Sequence, residues 1–175
     1  MNLANKITLS RIIVIPIYVI LLYIESETFT IIAGGLFILA SASDTLDGYI
    51  ARKYNMITDF GKFADPLADK LLVLSSIIIF VAQGSLPAWT LVIIMARELS
   101  ITGFRSVAAL KNKVLAADSL GKLKTITQLV ALSSLHFLSV LPILYYPVYI
   151  IYYASVILTI LSGLNYFIKN KDVFK

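Results

Sequence analysis

Asp44, Asp47, Asp65 and Asp69 stand at helical spacings around two glycines and an arginine: Asp44, Asp47, Gly48, Ala51 and Arg52, then eight residues, then Gly61, Asp65 and Asp69. At 3.6 residues per turn, Asp44, Gly48 and Arg52 form one i, i+4, i+8 stripe, and Asp47 and Ala51 form the adjacent one. Asp65 and Asp69 are again i, i+4, with Gly61 on their line if that helix starts early; Pro66 after Asp65 instead suggests a start there, with Asp65 as cap and Pro66 at the first helical position. The short stretch 54–60 makes the two helices antiparallel neighbours, so their carboxylates can converge. Converging carboxylates repel and call for a cation, and an all-oxygen donor set selects a hard ion, Mg²⁺ or Mn²⁺. Four carboxylates can bridge two such ions, an arrangement suited to displacement at phosphorus. Gly48 and Ala51 leave the helix face open to a flat ligand, and the Arg52 guanidinium suits phosphate oxygens.

Two further groups carry chemistry. Asn5, Thr8 and Arg11 share a helical face at i, i+3 spacing. Arg97 and Arg105 are eight apart and share a face, and Arg97 lies within an apolar run, where an arginine needs an anion. With Lys122, Lys124 and Thr125 from Gly121-Lys122-Leu123-Lys124-Thr125, they predict a second anion pocket, suited to a substrate that carries its own phosphate. His136, the single histidine, has no carboxylate partner in its segment and reads as a satisfied core residue.

The elements that must position these residues are membrane-grade. The chain has 175 residues, 59% hydrophobic and 14% charged, with a mean hydropathy of +0.88; a soluble domain carries about 25% charged residues. The expected fold is all-α: a polytopic membrane protein with six transmembrane helices in one bundle, a single domain over residues 1–175. Six apolar runs approach the ~20 residues a span needs, over residues 7–24, 29–48, 66–81, 87–108, 120–141 and 148–168. No small-residue cleavage site follows the first run, which is expected to be a retained helix and not a signal peptide. Cysteine is absent, which excludes disulfides and thiolate metal sites.

With the N-terminus placed in the cytoplasm, all 15 basic residues fall on that side, together with both termini and the aspartates. Trp89, Tyr145, Tyr146, Tyr149, Tyr152 and Tyr153 gather near the other face, as an interfacial belt does. The net charge of +5 is therefore read as orientation and attraction to anionic lipid, not as nucleic-acid binding. A cation-coupled membrane transporter is the competing reading. Against it, the acids sit at one edge of the bundle and not at the midplane.

The pattern D-x-x-D-G-x-x-A-R, eight residues, G-x-x-x-D-x-x-x-D resembles the signature of the CDP-alcohol phosphatidyltransferases, with every position filled from Asp44 to Asp69. The resemblance implies a membrane-embedded homodimer that uses two divalent cations to move a phosphatidyl group from CDP-diacylglycerol to an alcohol, releasing CMP. Carried over by position, it makes Asp44, Asp47, Asp65 and Asp69 the metal ligands, with Asp69 also the base on the acceptor hydroxyl. Gly48, Ala51, Arg52 and Gly61 would then face the cytidine diphosphate, as would Asn5 and Thr8, because Asn5-x-x-Thr8-x-x-Arg11 is an element of many relatives. The stretch from Asp59 to Lys70, with Ala96-Arg97-Glu98 and Gly121–Thr125, is most similar to bacterial members whose acceptor is sn-glycerol 3-phosphate and whose product is the precursor of phosphatidylglycerol. That similarity implies a bacterial cytoplasmic membrane and assigns Arg97, Arg105, Lys122, Lys124 and Thr125 to the acceptor phosphate. Members acting as cardiolipin or phosphatidylinositol-phosphate synthases also take phosphate-bearing acceptors.

Overall fold

The computed structural model describes the backbone of residues 3–53, 58–111, 113, 115 and 118–173, and their side chains except those of residues 3, 4, 6, 44–53, 59, 60, 62 and 63. Among the described residues the regular structure is entirely helical: α1 (Leu3–Tyr23), α2 (Glu27–Lys53), α3 (Asp59–Ala82), α4 (Ala88–Leu110), α5 (Ser119–Leu135) and α6 (Tyr145–Lys169), with short 3₁₀ turns at Pro142–Leu144 and Lys171–Val173. Among the described residues one helical stretch, Pro142–Lys169, is both long and apolar enough to cross a membrane, and the described parts of α1 and α2, Ile7–Tyr23 and Glu27–Ser43, are apolar too. Every helix carries exposed aliphatic side chains, such as Ile20, Leu39, Ile78, Val92, Val130 and Ile157.

The turn at Gln83-Gly84-Ser85 forms where the sequence breaks, and its chemistry is explicit. Gly84 has φ +74°, its N–H donates to the Val81 carbonyl (3.0 Å), and the Ser85 N–H donates to that of Phe80 (2.9 Å). This pair of bonds needs a left-handed residue after the helix cap, which glycine adopts without a Cβ clash. The start of α3 corrects the expectation at Asp65. Thr58 is the cap, extended at φ −123°, ψ 156°, and its hydroxyl accepts from the Gly61 N–H at 3.0 Å. A side-chain cap at Thr58 satisfies an otherwise orphaned donor, so the helix begins seven residues earlier. Asp65 and Pro66 lie inside it, and Pro66 forgoes one intrahelical bond.

The other corrected boundary is the end of α5, which stops at Leu135 and not at Leu141. His136 Nδ1 lies 2.7 Å from the Leu132 carbonyl, the acceptor that the His136 backbone N–H would use if the helix continued. Since a carbonyl only accepts, Nδ1 carries the proton, and Nε2 accepts from the Tyr18 hydroxyl at 2.9 Å. His136 is wholly buried, touching the rings of Phe37 and Phe80. It is the satisfied core histidine its isolation suggested.

Side-chain bonds fix the arrangement of the ends. At one end α1 meets α3 through Asn5 and Thr58, α3 meets α4 through Lys70 and Thr102, and α4 meets α6 through Arg105 and Tyr166. At the other, Gln83 bonds to the Leu22 carbonyl, Tyr149 to the Ser85 carbonyl, and Tyr152 to Thr90. Successive helices therefore run in alternate directions. The described lysines and arginines share the first end, and the aromatic group gathers at the second, where Trp89 stacks on Tyr153. The main core, built around Tyr18, Phe37, Leu72, Ile94, Leu132 and Tyr152, holds the ends in register. A smaller cluster of Ile101, Phe104, Ala108, Tyr166 and Val173 packs near the basic end.

Candidate active site

The basic end contains two adjoining structures. The first is a bracket of α1 around the start of α3. Gly61, Asp65 and Asp69 lie on one helical line because the helix starts at Asp59. Asn5 Oδ1 accepts from the Thr58 hydroxyl at 2.8 Å, and the Thr8 hydroxyl donates to Asp65 Oδ1 at 2.5 Å. Gly61 is tight here: a Cβ would come to 3.3 Å from Asn5 Oδ1 and from Thr58 Oγ1. The buried Arg11 donates from Nε to Ser43 Oγ at 3.3 Å, immediately before Asp44. The first turns of α1 thus tie α3 to α2 at Ser43. The side chains of Asp44, Asp47, Ala51 and Arg52, and Gly48 with them, lie outside the described residues, although their backbone is helical. Among the described residues no group of three or more carboxylates, histidines or cysteines converges as a metal site.

The second structure is a cavity of about 650 Å³ enclosed by α3, α4, α5 and α6, with Asp69 and Lys70 on one wall and Arg97 and Arg105 on another. Lys122 and Thr125 line it from α5, and Ser162 and Tyr166 from α6. Of the five residues expected to hold an acceptor phosphate, four therefore line one cavity, and that cavity reaches Asp69. Arg105 donates from Nε to the Tyr166 hydroxyl at 3.0 Å, with its guanidinium 5.5 Å from the ring centre. Lys124 is placed differently. Its ammonium is buried and donates to Glu98 Oε1 at 2.8 Å, and it lines a smaller adjoining cavity of about 40 Å³ that also touches Asp69 and Gln128.

Asp118, Ser162 and Tyr166 have no predicted role in the sequence, and Glu98 stands out there only beside Arg97, yet each joins this wall. Glu98 Oε1 accepts from both Arg97 Nη1 and Lys124 Nζ, each at 2.8 Å, while Arg97 Nη2 donates to Ser162 Oγ at 3.3 Å. At the mouth, Asp118 accepts from Asn165 and from Lys169 at 3.1 Å. The Lys169 hydrogen bond holds the Asp118 carboxyl below its ordinary range. A visible signal existed for one of these: Ser162-Gly163 interrupts a helix of large apolar residues, one turn before Tyr166.

Chemically, the arrangement sets a carboxylate between two zones. On one side is a second, hydrogen-bonded carboxylate, Asp65; on the other is a roomy cavity whose wall carries Lys70, Arg97, Arg105 and Lys122 beside Glu98 and Asp118. Such a cavity accommodates a small polyanion and presents it to Asp69.

The CDP-alcohol phosphatidyltransferase family model matches residues 1–161. A Bacillus subtilis protein named CDP-diacylglycerol–glycerol-3-phosphate 3-phosphatidyltransferase is 44% identical over 189 residues, covering 99% of this chain and 97% of its own. A Rickettsia typhi protein of the same name is 40% identical over 176 residues, covering 99% of each chain. A Mycobacterium tuberculosis protein named probable phosphatidylglycerophosphate synthase is 37% identical over 171 residues, covering 94% of this chain and 79% of its own. Matched over nearly its whole length by the family and by these relatives, the chain belongs to the CDP-alcohol phosphatidyltransferases.

Proposed function

We propose that this chain transfers the phosphatidyl group of CDP-diacylglycerol to sn-glycerol 3-phosphate, giving phosphatidylglycerophosphate and CMP. The observation that carries the acceptor assignment is the cavity itself: Arg97, Arg105 and Lys122 line the space that Asp69 borders. The names of the relatives point to the same acceptor. In the reaction the acceptor hydroxyl oxygen bonds to the phosphorus that carries diacylglycerol. The bond from that phosphorus to the bridging oxygen breaks, and CMP leaves with the electron pair. Asp69 takes the hydroxyl proton, while the cationic wall holds the acceptor's own phosphate.

The donor side rests on Asp44, Asp47, Asp65 and Asp69 as ligands for two divalent cations, Mg²⁺ or Mn²⁺. The donor set is all oxygen, and Thr8 orients one of its carboxylates, which fits a hard ion with a supported first ligand. Such ions, when bound, neutralise the pyrophosphate. Asn5, Thr8, Gly48, Ala51, Arg52 and Gly61 are assigned to the cytidine diphosphate. The exposed aliphatic sides of all six helices support a six-span membrane bundle, the basic residues of the sequence support termini and site on the cytoplasmic side, and the bacterial relatives support a bacterial cytoplasmic membrane; a second copy is assigned as partner by the family resemblance.

The test is CMP release from CDP-diacylglycerol by the purified protein in detergent, with Mg²⁺ or Mn²⁺ and with glycerol 3-phosphate, phosphatidylglycerol, inositol phosphate and serine offered in parallel. Turnover is expected with glycerol 3-phosphate. Faster turnover with another acceptor would replace the acceptor assignment, and metal-independent release would remove the ligand assignment. Asp69→Asn is expected to abolish turnover while retaining CDP-diacylglycerol binding; a wild-type rate would refute Asp69 as the base.

A further inference from the structure

Arg97 and Glu98 are neighbours in sequence, and on a helix adjacent side chains diverge and do not face each other. Here they meet at 2.8 Å, so the arginine is bent toward its neighbour by something outside its own helix. Two glycines on two other helices make that path available. A Cβ on Gly163 of α6 would come to 3.2 Å from Arg97 Cγ, and a Cβ on Gly121 of α5 would come to 3.3 Å from Arg97 Nη2. Among the described residues neither Cβ would meet another atom within 4 Å apart from its own helix and chain neighbours, so alanine at either position would crowd Arg97. Glycine inside a helix costs about 1 kcal/mol relative to alanine, and among the described residues the approach of Arg97 is what accounts for it at these two positions.

Glu98 then fixes the end of that path. One oxygen takes both the arginine and the buried Lys124, and Ser162 takes the other arm of the guanidinium. A guanidinium has five N–H donors; with these bonds made, Nε is buried without a partner among the described residues, and the remaining Nη1 and Nη2 donors belong to a residue that lines the large cavity. Electrostatics alone runs the other way: a carboxylate on the wall of an anion pocket repels the anion. Glu98 is explained if the orientation of Arg97 is worth more to the pocket than the charge Glu98 subtracts.

We propose that Glu98, Gly121 and Gly163 are positioning residues of the acceptor cavity, holding the Arg97 guanidinium in the pose that receives the acceptor's phosphate and so setting affinity for phosphate-bearing acceptors. The inference rests on the reading of that cavity as the acceptor site. Its test is steady-state kinetics of the full-length protein, with glycerol 3-phosphate varied at saturating CDP-diacylglycerol and metal. Weakening one charge-assisted hydrogen bond to the acceptor's phosphate is expected to raise the glycerol 3-phosphate KM about 3- to 10-fold in Gly163→Ala and in Gly121→Ala, and losing it in Glu98→Gln by about tenfold or more.

The CDP-diacylglycerol KM of both glycine variants should stay at the wild-type value, and their thermal midpoints should not fall, since alanine favours the helix. Gly103→Ala, on the same helix as Arg97 but with open space around its Cβ, should change neither constant. A Glu98→Gln enzyme with an unchanged or lower acceptor KM would overturn the proposal, because that is the result if Glu98 only subtracts charge. Should Glu98→Gln not fold, the glycine variants decide alone: an unchanged acceptor KM in both overturns the proposal. Arg97→Ala separates the two levels. If it leaves the acceptor KM unchanged, the reading of the cavity fails; if it raises KM while the glycine and Glu98 variants do not, only the positioning fails.

Discussion

Thr8 is the place where a single hydroxyl can be weighed against the proposed metal chemistry. It is 1% exposed, so water cannot take over its role, and its hydroxyl donates to Asp65 Oδ1 at 2.5 Å. Thr8→Val keeps the branched shape and removes the donor. A hydrogen bond to a charged group is worth about 1.5–3 kcal/mol, and each 1.36 kcal/mol is a factor of ten, so the loss corresponds to roughly 10- to 150-fold. That range overlaps the ~10- to 100-fold by which loss of a partner behind a metal ligand lowers metal affinity or activity. If Asp65 is a ligand, the cost should appear in the metal requirement. CMP release titrated with Mn²⁺ at saturating CDP-diacylglycerol should show the half-saturating Mn²⁺ concentration raised by about 10- to 100-fold, with the acceptor KM unchanged. Thr8→Ser, which restores the hydroxyl, should return the midpoint close to wild type. A folded Thr8→Val enzyme with the wild-type Mn²⁺ midpoint would refute the reasoning. So would a raised CDP-diacylglycerol KM at a normal midpoint, which would leave Thr8 its assignment to the nucleotide and remove it from the support of a metal ligand.

Two further predictions concern stability. A Cβ on Gly34 would reach 2.6 Å from His136 Cβ and 3.0 Å from Phe137 Cζ, whereas Gly35 has nothing within 4 Å. Gly34→Ala should therefore lower the thermal midpoint through overpacking of about 1–3 kcal/mol, and Gly35→Ala should leave it unchanged or raise it slightly, as thermal denaturation in detergent will show. Val173 is buried against the cluster of Phe104 and Tyr166, and its carbonyl accepts from Lys111 at 2.7 Å. Val173→Ala should cost about 1–3 kcal/mol by lost burial and cavity formation and should raise the acceptor KM as well, because Tyr166 holds Arg105; an unchanged KM would disconnect this cluster from the cavity.

What was legible in the sequence depended on how many helices a feature needs. The turn at Gly84 is a local device, readable from three residues, and it forms as expected. The convergence of Arg97, Arg105, Lys122 and Thr125 needs only helical spacing and the side of the bundle on which the basic residues lie, and these four line one cavity. The cap at Thr58 was obscured by a more conspicuous sign, Asp65-Pro66, because Thr58 is followed three residues later by glycine and not by the glutamate of a capping box. The end of α5 was hidden for another reason: the run to Leu141 stays apolar, and only a tertiary contact, Tyr18 to His136, sets the ring that captures the Leu132 carbonyl.

Arg97 shows the same rule at the site. Its charge in an apolar run announced an anion, but the direction it points is set by Gly121, Gly163 and Ser162 on α5 and α6, residues with no charge to draw attention. Lys124 was grouped with the same pocket by charge and spacing, yet the adjacent carboxylate of Glu98 draws its ammonium into the helix interface. Spacing along one helix can thus identify which residues carry charge to one end, while which of them line the cavity is decided by partners on the helices opposite, a carboxylate for Lys124 and small neutral residues for Arg97. A cationic pocket built this way can change its acceptor through a glycine or serine and leave every charged residue in place.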